Sequence, residues 1–232
     1  SSYIRQYWSA QELSTDEAVI GWNDATIKDF HHMTWSPADV LIRALYSRIY
    51  FQITLANEFI RESDASKVSD RGISGADATE IAYMHAEARF LRALSYYHAM
   101  DLFGNVPFVT EDDNVGAFLP NQITRTNLFN YIESELKAIE TELKDARTNE
   151  YGRADKAAAW ALLSRLYLNA QVYTGTAKYS ECITYCNKIT AIPGYALINN
   201  YRNLFLADNN TTSGSEFIFA VNFDGNKART WG

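Results

Sequence analysis

The chain has 232 residues, of which 47% are hydrophobic and 21% are charged, and its formal net charge is −7. These values are typical of a globular protein with one large core or two small ones, and the negative field disfavours nucleic acid as a partner. No apolar run approaches the roughly 18 residues of a membrane span. Two cysteines are too few for a disulfide framework.

The first 35 residues show neither a helical nor a strand period. They predict an irregular arm with a short helix after Ser14. Aromatic residues in this arm alternate with charged and amide residues, among them Arg5, Trp22, Asn23 and Asp24. The arm is therefore the part of the chain with the most potential for ligand contacts.

A helix start follows the arm. Ser36 is placed to cap the helix and Pro37 suits its first position, while Trp35 and Val40 can form a hydrophobic staple. We expect this helix to run to about Ser63. Residues 64–76 predict a loop, because they are rich in Ser, Asp and Gly.

The next segment predicts a long helix with well-defined ends. A capping-box pattern at Asp77–Glu80 precedes it, and apolar residues within 86–103 are spaced as one buried stripe. Gly104 and Asn105 both tolerate the left-handed conformation that often ends a helix. The sequence therefore predicts a helix that stops at Phe103, followed by an extended connection over 104–125.

Three further helices are predicted in the second half of the chain. Thr126 is placed to cap the first of them over 127–146, and the others are expected at 155–171 and 177–190. Residues 216–224 alternate apolar and polar side chains and predict a strand. The expected fold is mainly α with a little β structure near the C-terminus.

The chain contains an internal repeat. Ala44–Phe51 matches Ala161–Leu168, and residues 160–167 fit the first-helix consensus of a tetratricopeptide repeat with Ser164 in place of glycine. A small residue there allows close approach of a paired helix. The pattern favours a divergent tetratricopeptide-like helical-repeat scaffold, and a plain helical bundle is the alternative on these residues.

Four stretches together carry a family resemblance. In order and spacing, Gln11–Trp22, Thr34–Pro37, Ala86–Phe108 and Gly152–Gly175 resemble the SusD/RagB family of nutrient-binding outer-membrane lipoproteins. The resemblance covers nearly the whole chain. It implies a helical-repeat scaffold packed beneath irregular ligand-facing loops.

We accordingly expect a single SusD-like domain over residues 1–232. Residues 1–35 form its arm, 36–205 its helical-repeat scaffold, and 206–232 the start of a ligand-facing loop and strand region. Members of the family are roughly twice this length. Part of the family's binding surface is therefore expected to be missing from this chain, which would be truncated.

The resemblance also implies a function. It implies a lipidated cysteine upstream of Ser1, now missing, as the only link to the membrane, and a place on the outer face of a Gram-negative outer membrane. The partners would be an oligosaccharide or glycan and a SusC-like TonB-dependent transporter, with no nucleic acid. We expect no enzyme, because no phosphate loop, dinucleotide fingerprint or nucleophile elbow occurs. A helical-repeat adaptor that binds protein or peptide is the first alternative, and a glycosidase is the second.

A glycan site needs an exposed aromatic side chain flanked by amides, carboxylates or arginine. The arm offers this set at Trp22, Asn23 and Asp24, with Arg5 nearby if the arm folds back. The resemblance places an aromatic shelf of starch-binding members at Ile20, so a glycan other than starch is expected. The alternative is that Trp22 belongs to the core.

Two further candidates lie near the C-terminus. The resemblance places Trp231 in a loop that ends in a ligand-stacking aromatic residue. It also places Asp208 and Asn210 in an acidic turn near a calcium site, although two oxygen ligands are far fewer than the six or more that calcium takes. A solvated turn is the alternative for this pair, and no other cofactor is expected.

Overall fold

A computed structural model describes residues 3–24, 26–116, 118–223, 225, 226 and 228. The chain is mainly helical with a small sheet, as predicted. It divides into two compact units. We call the described residues of 1–54 and 222–232 the arm unit, and residues 55–221 the repeat unit. No helix in the described part of the chain combines the length and the hydropathy that a membrane crossing needs.

The arm unit contains two short helices that the sequence does not announce. Helix α1 spans Tyr3–Glu12 and helix α2 spans Ile27–His32, whereas the short helix predicted after Ser14 is not formed. The prediction was wrong because the buried side of α1 carries Gln6 and Ser9, so an apolar period is missing. A small core holds the unit together and consists of Leu13, Ile27 and Phe30.

Helix α3 spans Val40–Glu62, three residues later than Pro37 would start it. Asp39 provides the cap: its Oδ1 accepts hydrogen bonds from the backbone N–H of Leu41 at 2.8 Å and of Ile42 at 3.0 Å. Ser36 instead accepts from the backbone N–H of Ala38 in the preceding turn. A buried carboxylate at the positive end of the helix dipole is a stronger cap than the upstream hydroxyl.

The repeat unit holds most of the helices. Helix α4 lies in the predicted loop, because Asp64 caps it by accepting from the backbone N–H of Ser66. Thr124, two residues before the predicted Thr126, caps α6. The helical elements that follow α3 are α4 Ala65–Asp70, α5 Gly75–Phe103, α6 Arg125–Ile139, α7 Lys156–Leu168, α8 Ala170–Thr174, α9 Tyr179–Thr190, a 3₁₀ turn at Tyr201–Phe205 and α10 Asn209–Thr212.

The repeat unit is built from helices packed in pairs. Helix α5 packs against α6, and α7 packs against α9, which is the pairing expected for residues 155–171 and 177–190. The apolar face of α6 is buried, and it includes Leu128, Ile132 and Leu136. A turn separates α8 from α7 at Asn169, so the predicted fourth helix is two helices.

Helix α5 is the centre of the repeat unit, and it differs from the prediction of one buried stripe. Residues 95–100 are all buried, so α5 is surrounded by protein on every side near its C-terminal end. The helix stops at Phe103 as predicted. Gly104 follows it with φ +74° and ψ −105°, a conformation open to glycine and costly for other residues.

The β structure lies in a different place from the one predicted. Strands β1, Val106–Pro107, and β2, Gln122–Ile123, pair antiparallel within the connection between α5 and α6. Residues 216–223, the described part of the predicted strand, form none. They lack a strand partner among the described residues; the Glu216 side chain instead accepts a hydrogen bond from the backbone N–H of Ile198 at 2.7 Å.

A buried polar cluster fixes the connection after α5. Arg92 donates to Asn57 Oδ1 at 2.9 Å, to Glu135 Oε2 at 2.9 Å and to the carboxylate of Glu111. Tyr96 adds two bonds to the backbone of Val109, donating to its carbonyl at 2.7 Å and accepting from its N–H at 2.8 Å. The connection is therefore an ordered part of the scaffold despite its lack of regular structure.

Candidate functional site

The arm unit brings together the residues that the sequence singles out for ligand contact. Arg5 on α1 and Asp24, 19 positions later, form an ion pair with 3.0 Å between Arg5 Nη2 and Asp24 Oδ2. The arm does fold back on itself, which is the arrangement that places Arg5 beside the 22–24 stretch. The Asp24 side chain is 51% exposed, so one side of this pair faces solvent.

Trp22 lies next to this ion pair in the sequence, and its indole is accessible. The residue is 53% exposed, whereas the core of the arm unit is formed by other residues, so the core alternative for Trp22 is wrong. Asn23 is exposed as well. The stretch therefore presents an aromatic face, an amide and a carboxylate in three consecutive residues.

Ile20 has a different role. It is half-buried and packs against the core cluster of Leu13, Ile27 and Phe30. An aliphatic side chain in that position closes the base of the loop rather than offering a face for stacking. The aromatic surface at 20–24 therefore consists of the Trp22 indole.

Trp8 is a neighbour of the site that the sequence analysis did not single out. It follows Arg5 by three positions on α1, so both side chains lie on the same face of that helix, and Trp8 is 47% exposed. A helical reading of residues 3–12 would have paired them. The sequence does not announce this helix, because α1 has polar residues on its buried side.

Of the C-terminal candidates, the structure describes Asp208 and Asn210. Trp231 lies outside the described residues. Asp208 and Asn210 are exposed at the start of α10, where the Asp208 carbonyl accepts from the backbone N–H of Thr211 at 3.0 Å and of Thr212 at 3.1 Å. In the described part of the chain, no group of three or more His, Cys, Asp or Glu side chains could hold a metal ion. The pair does not form a calcium site by itself, and calcium at this turn stays a prediction.

The arrangement of Arg5, Trp22, Asn23 and Asp24 is suited to binding. An exposed indole can stack on the apolar face of a sugar ring, and the amide, carboxylate and guanidinium can exchange hydrogen bonds with its hydroxyl groups. Because the guanidinium and carboxylate hold each other, their donors and acceptors are oriented before a ligand arrives.

Comparison with known proteins gives the family. The SusD-like family described as "Starch-binding associating with outer membrane" matches residues 3–168. The starch-binding protein SusD of Bacteroides thetaiotaomicron is 37% identical over 235 aligned residues, which cover 100% of this chain and 40% of that protein. SusD-like protein P2 of Formosa agariphila is 25% identical over 205 residues, covering 85% of this chain and 37% of that protein.

Solved structures agree with this result. A laminarin-binding SusD-like protein has a TM-score of 0.80 and 25% identity, and the match covers 99% of this chain and 50% of that one. A surface glycan-binding protein from Bacteroides uniformis shows the same fold, with a TM-score of 0.76, 19% identity, and coverage of 94% and 46%. The chain spans about two fifths of the length of the curated relatives it matches. The match over residues 3–168 establishes that this chain belongs to the SusD-like family.

Proposed function

We propose that this chain is part of a cell-surface protein that captures an oligosaccharide without cleaving it. The observation that carries the proposal is the exposed Trp22 indole beside Asn23 and the Asp24–Arg5 ion pair. The names of two similar proteins, one starch-binding and one laminarin-binding, support carbohydrate as the ligand class. Binding and release of sugar need no bond-breaking group, so the work of this protein is capture.

The proposed ligand is a glycan other than starch. Ile20 packs into the arm core, so the site has one stacking face at this position instead of a wider aromatic shelf. A single indole supports one sugar ring, and neighbouring rings depend on hydrogen bonds from Arg5, Asn23 and Asp24. We expect modest affinity, because a few such contacts leave little surplus over the cost of ordering a flexible chain.

Delivery to a SusC-like TonB-dependent transporter is the second part of the proposal. Membership in a family described as associating with the outer membrane supports it. The full-length protein would be held at the outer face by a lipid on a cysteine upstream of Ser1. The repeat unit would provide a rigid helical scaffold within that protein.

The adaptor alternative has one observation in its favour. Helices α8 and α9 carry apolar side chains that face solvent, with Val172 63% exposed and Ile183 60% exposed. Surfaces of this kind often serve for protein contacts. Under the adaptor hypothesis the repeat unit would bind a peptide, and no glycan would be bound.

Affinity electrophoresis with amylopectin, laminarin and xyloglucan separates these hypotheses. We expect the chain to be retarded by at least one glycan and less by amylopectin than by the best of the three. Retardation by none of them would reject sugar capture for this chain. For the second step, the transporter should be co-expressed with the chain and co-purified, and Val172→Ser with Ile183→Ser would test whether α8 and α9 carry the contact.

A further inference from the structure

A cleft in the repeat unit is lined by none of the residues assigned to glycan capture. The loop over 147–155, the turn after α9 and the segment 214–220 surround a space of about 160 Å³. Drug-sized ligands occupy pockets of about 300 Å³ or more. This cleft therefore suits one small polar group or a single sugar ring, not a long chain.

Arg147 is held in this cleft from two sides. Its Cζ lies 4.9 Å from the centre of the Tyr195 ring, which is a cation–π contact. The other close neighbour is Gly194, where an added Cβ would come within 3.0 Å of Arg147 Nε. Glycine at 194 thus leaves room for the guanidinium beside the ring of the next residue.

The backbone of Arg147 is also held in an unusual conformation. Its φ is +65°, which is uncommon for a residue other than glycine. The buried carboxylate of Asp155 stabilises it by accepting the Arg147 backbone N–H at 2.7 Å. Strained backbone conformations of this kind concentrate at binding sites, where the cost is tolerated for the sake of side-chain placement.

Most N–H donors of the Arg147 guanidinium are available for a ligand. Its side chain donates one long bond, 3.5 Å, to the Gly214 carbonyl, and among the described residues no carboxylate lies within ion-pair distance of it. Arg153, in the same cleft, instead forms ion pairs with Glu80 and Glu87. The cation–π contact with Tyr195 uses none of the N–H donors of Arg147, and these donors suit an oxyanion.

We propose that Arg147 binds an oxyanion carried by a sugar, either the carboxylate of a uronic acid or a sulfate ester. Tyr151 lines the same cleft, is 48% exposed and offers an aromatic face to the sugar ring. The site is separate from Arg5, Trp22, Asn23 and Asp24, so it adds a preference for acidic glycans to the proposed function without depending on it.

Chemical-shift titration of the ¹⁵N-labelled chain, followed at the arginine Nε–Hε signals, tests this site. The probes are methyl β-D-glucuronide, glucose 6-sulfate and neutral methyl β-D-glucoside. We expect saturable shifts of the Arg147 signal with at least one acidic probe and an affinity at least about tenfold weaker for the neutral one. Shifts with the glucuronide only would assign a carboxylate, and shifts with the sulfate only would assign a sulfate ester.

Matched variants separate the charge of Arg147 from its placement. Followed at the backbone amide signals of the cleft residues Gly152 and Arg153, Arg147→Gln should weaken binding about tenfold or more. Gly194→Ala keeps the charge and should also weaken binding, because its methyl group would lie 3.0 Å from Arg147 Nε and its φ of +94° strains the backbone beside Tyr195. Glu150→Gln should strengthen binding, since it removes a negative charge that lines the cleft. Arg202→Gln, an exposed arginine outside the cleft, serves as the control.

Three results would overturn the proposal. They are equal binding of the neutral glucoside, wild-type affinity in Arg147→Gln, and inorganic sulfate binding as tightly as both sugar acids. Circular dichroism would confirm that the variants fold, and Arg147→Lys, which keeps charge but loses the planar fork, gives a second test. Loss of glycan retardation with retained acidic-sugar shifts at the Arg147 signal would reject the arm site alone, and the reverse result would reject this site alone, so the two failures can be told apart.

Discussion

Arg92 and Glu135 form an ion pair in the interior of the repeat unit, with 2.9 Å between Arg92 Nη2 and Glu135 Oε2. The Arg92 side chain is 2% exposed and that of Glu135 is 16% exposed. Arg89 also binds Glu135, at 3.0 Å, so one carboxylate joins two arginines of α5 to α6. Burial would raise the pKa of Glu135, but the hydrogen bonds and charges of Arg89 and Arg92 hold it below its ordinary value.

Replacing one partner of this pair should destabilise the fold strongly. Arg92→Met leaves Glu111 without its cation and Glu135 with Arg89 alone, and breaking buried pairs costs about 3–5 kcal/mol. Urea unfolding measures the loss. Lys137→Ala removes a half-exposed partner of Glu133 and should leave the unfolding midpoint nearly unchanged. Equal midpoints for Arg92→Met and the wild type would show that the pair contributes nothing.

His98 should make stability depend on pH. Burial, followed by the charge of Arg165, lowers its pKa from 6.5 to about 3. As pH falls below about 6.5, the unfolded chain takes up a proton that the folded chain does not, so stability decreases by up to about 1.4 kcal/mol per pH unit. Urea midpoints between pH 7 and 5 measure this slope.

The change of the urea midpoint with pH should be smaller in His98→Gln, because glutamine at this position takes up no proton. Below about pH 4.5 the carboxylates with lowered pKa, such as Glu135 and Glu111, should add a second loss of stability as they protonate. A wild-type midpoint that stays flat from pH 7 to 5 would contradict the assignment of His98 as buried and neutral.

Gly104 ends the longest described helix, and an alanine in its place should lower the stability of the fold. With φ +74° and ψ −105°, a Cβ is strained even though no other atom lies within 4 Å of its position. We expect Gly104→Ala to lower the free energy of unfolding by about 1 kcal/mol or more. Gly21→Ala, where φ is not positive and the space is equally open, should be neutral. Equal effects of the two substitutions would rule out backbone strain as the cause.

The sequence predicted the helical-repeat fold because its strongest signals are local. The Gly104 stop and the apolar period of α6 each determine an element without reference to the rest of the chain. The resemblance to SusD/RagB proteins, now confirmed, supplied the packing of these helices.

The predictions failed where tertiary contacts, not the local sequence pattern, determine the structure. Helix α1 buries Gln6 and Ser9, and α5 buries Arg92 and His98, so neither matches a simple apolar stripe. The Asp24–Arg5 pair spans 19 positions and depends on the arm folding back, which no local pattern specifies. For the same reason the Arg147 cleft, assembled from three separate segments, could not be found in the sequence.

The Arg5–Asp24 pair should matter more for binding than for stability. Both side chains are partly exposed, and exposed ion pairs contribute little to folding. Asp24→Asn and Arg5→Lys should therefore leave the melting temperature nearly unchanged. Each should weaken binding of the preferred glycan by about fivefold to tenfold. Asp24→Asn loses the charged acceptor, and Arg5→Lys loses the planar fork of donors. If both variants bind like the wild type in calorimetry, the pair does not contact the ligand.

The central claim is that the Trp22 indole holds a sugar ring. Isothermal calorimetry of the wild-type chain and of Trp22→Ala, with the best glycan from the electrophoresis panel, tests it most directly. Tyr201→Ala is the control, because it removes an aromatic residue that is 71% exposed in the repeat unit. We predict at least about tenfold weaker binding for Trp22→Ala, since stacking and buried area are both lost, and wild-type affinity for Tyr201→Ala. Wild-type affinity in Trp22→Ala would contradict the account and remove the arm from the binding site.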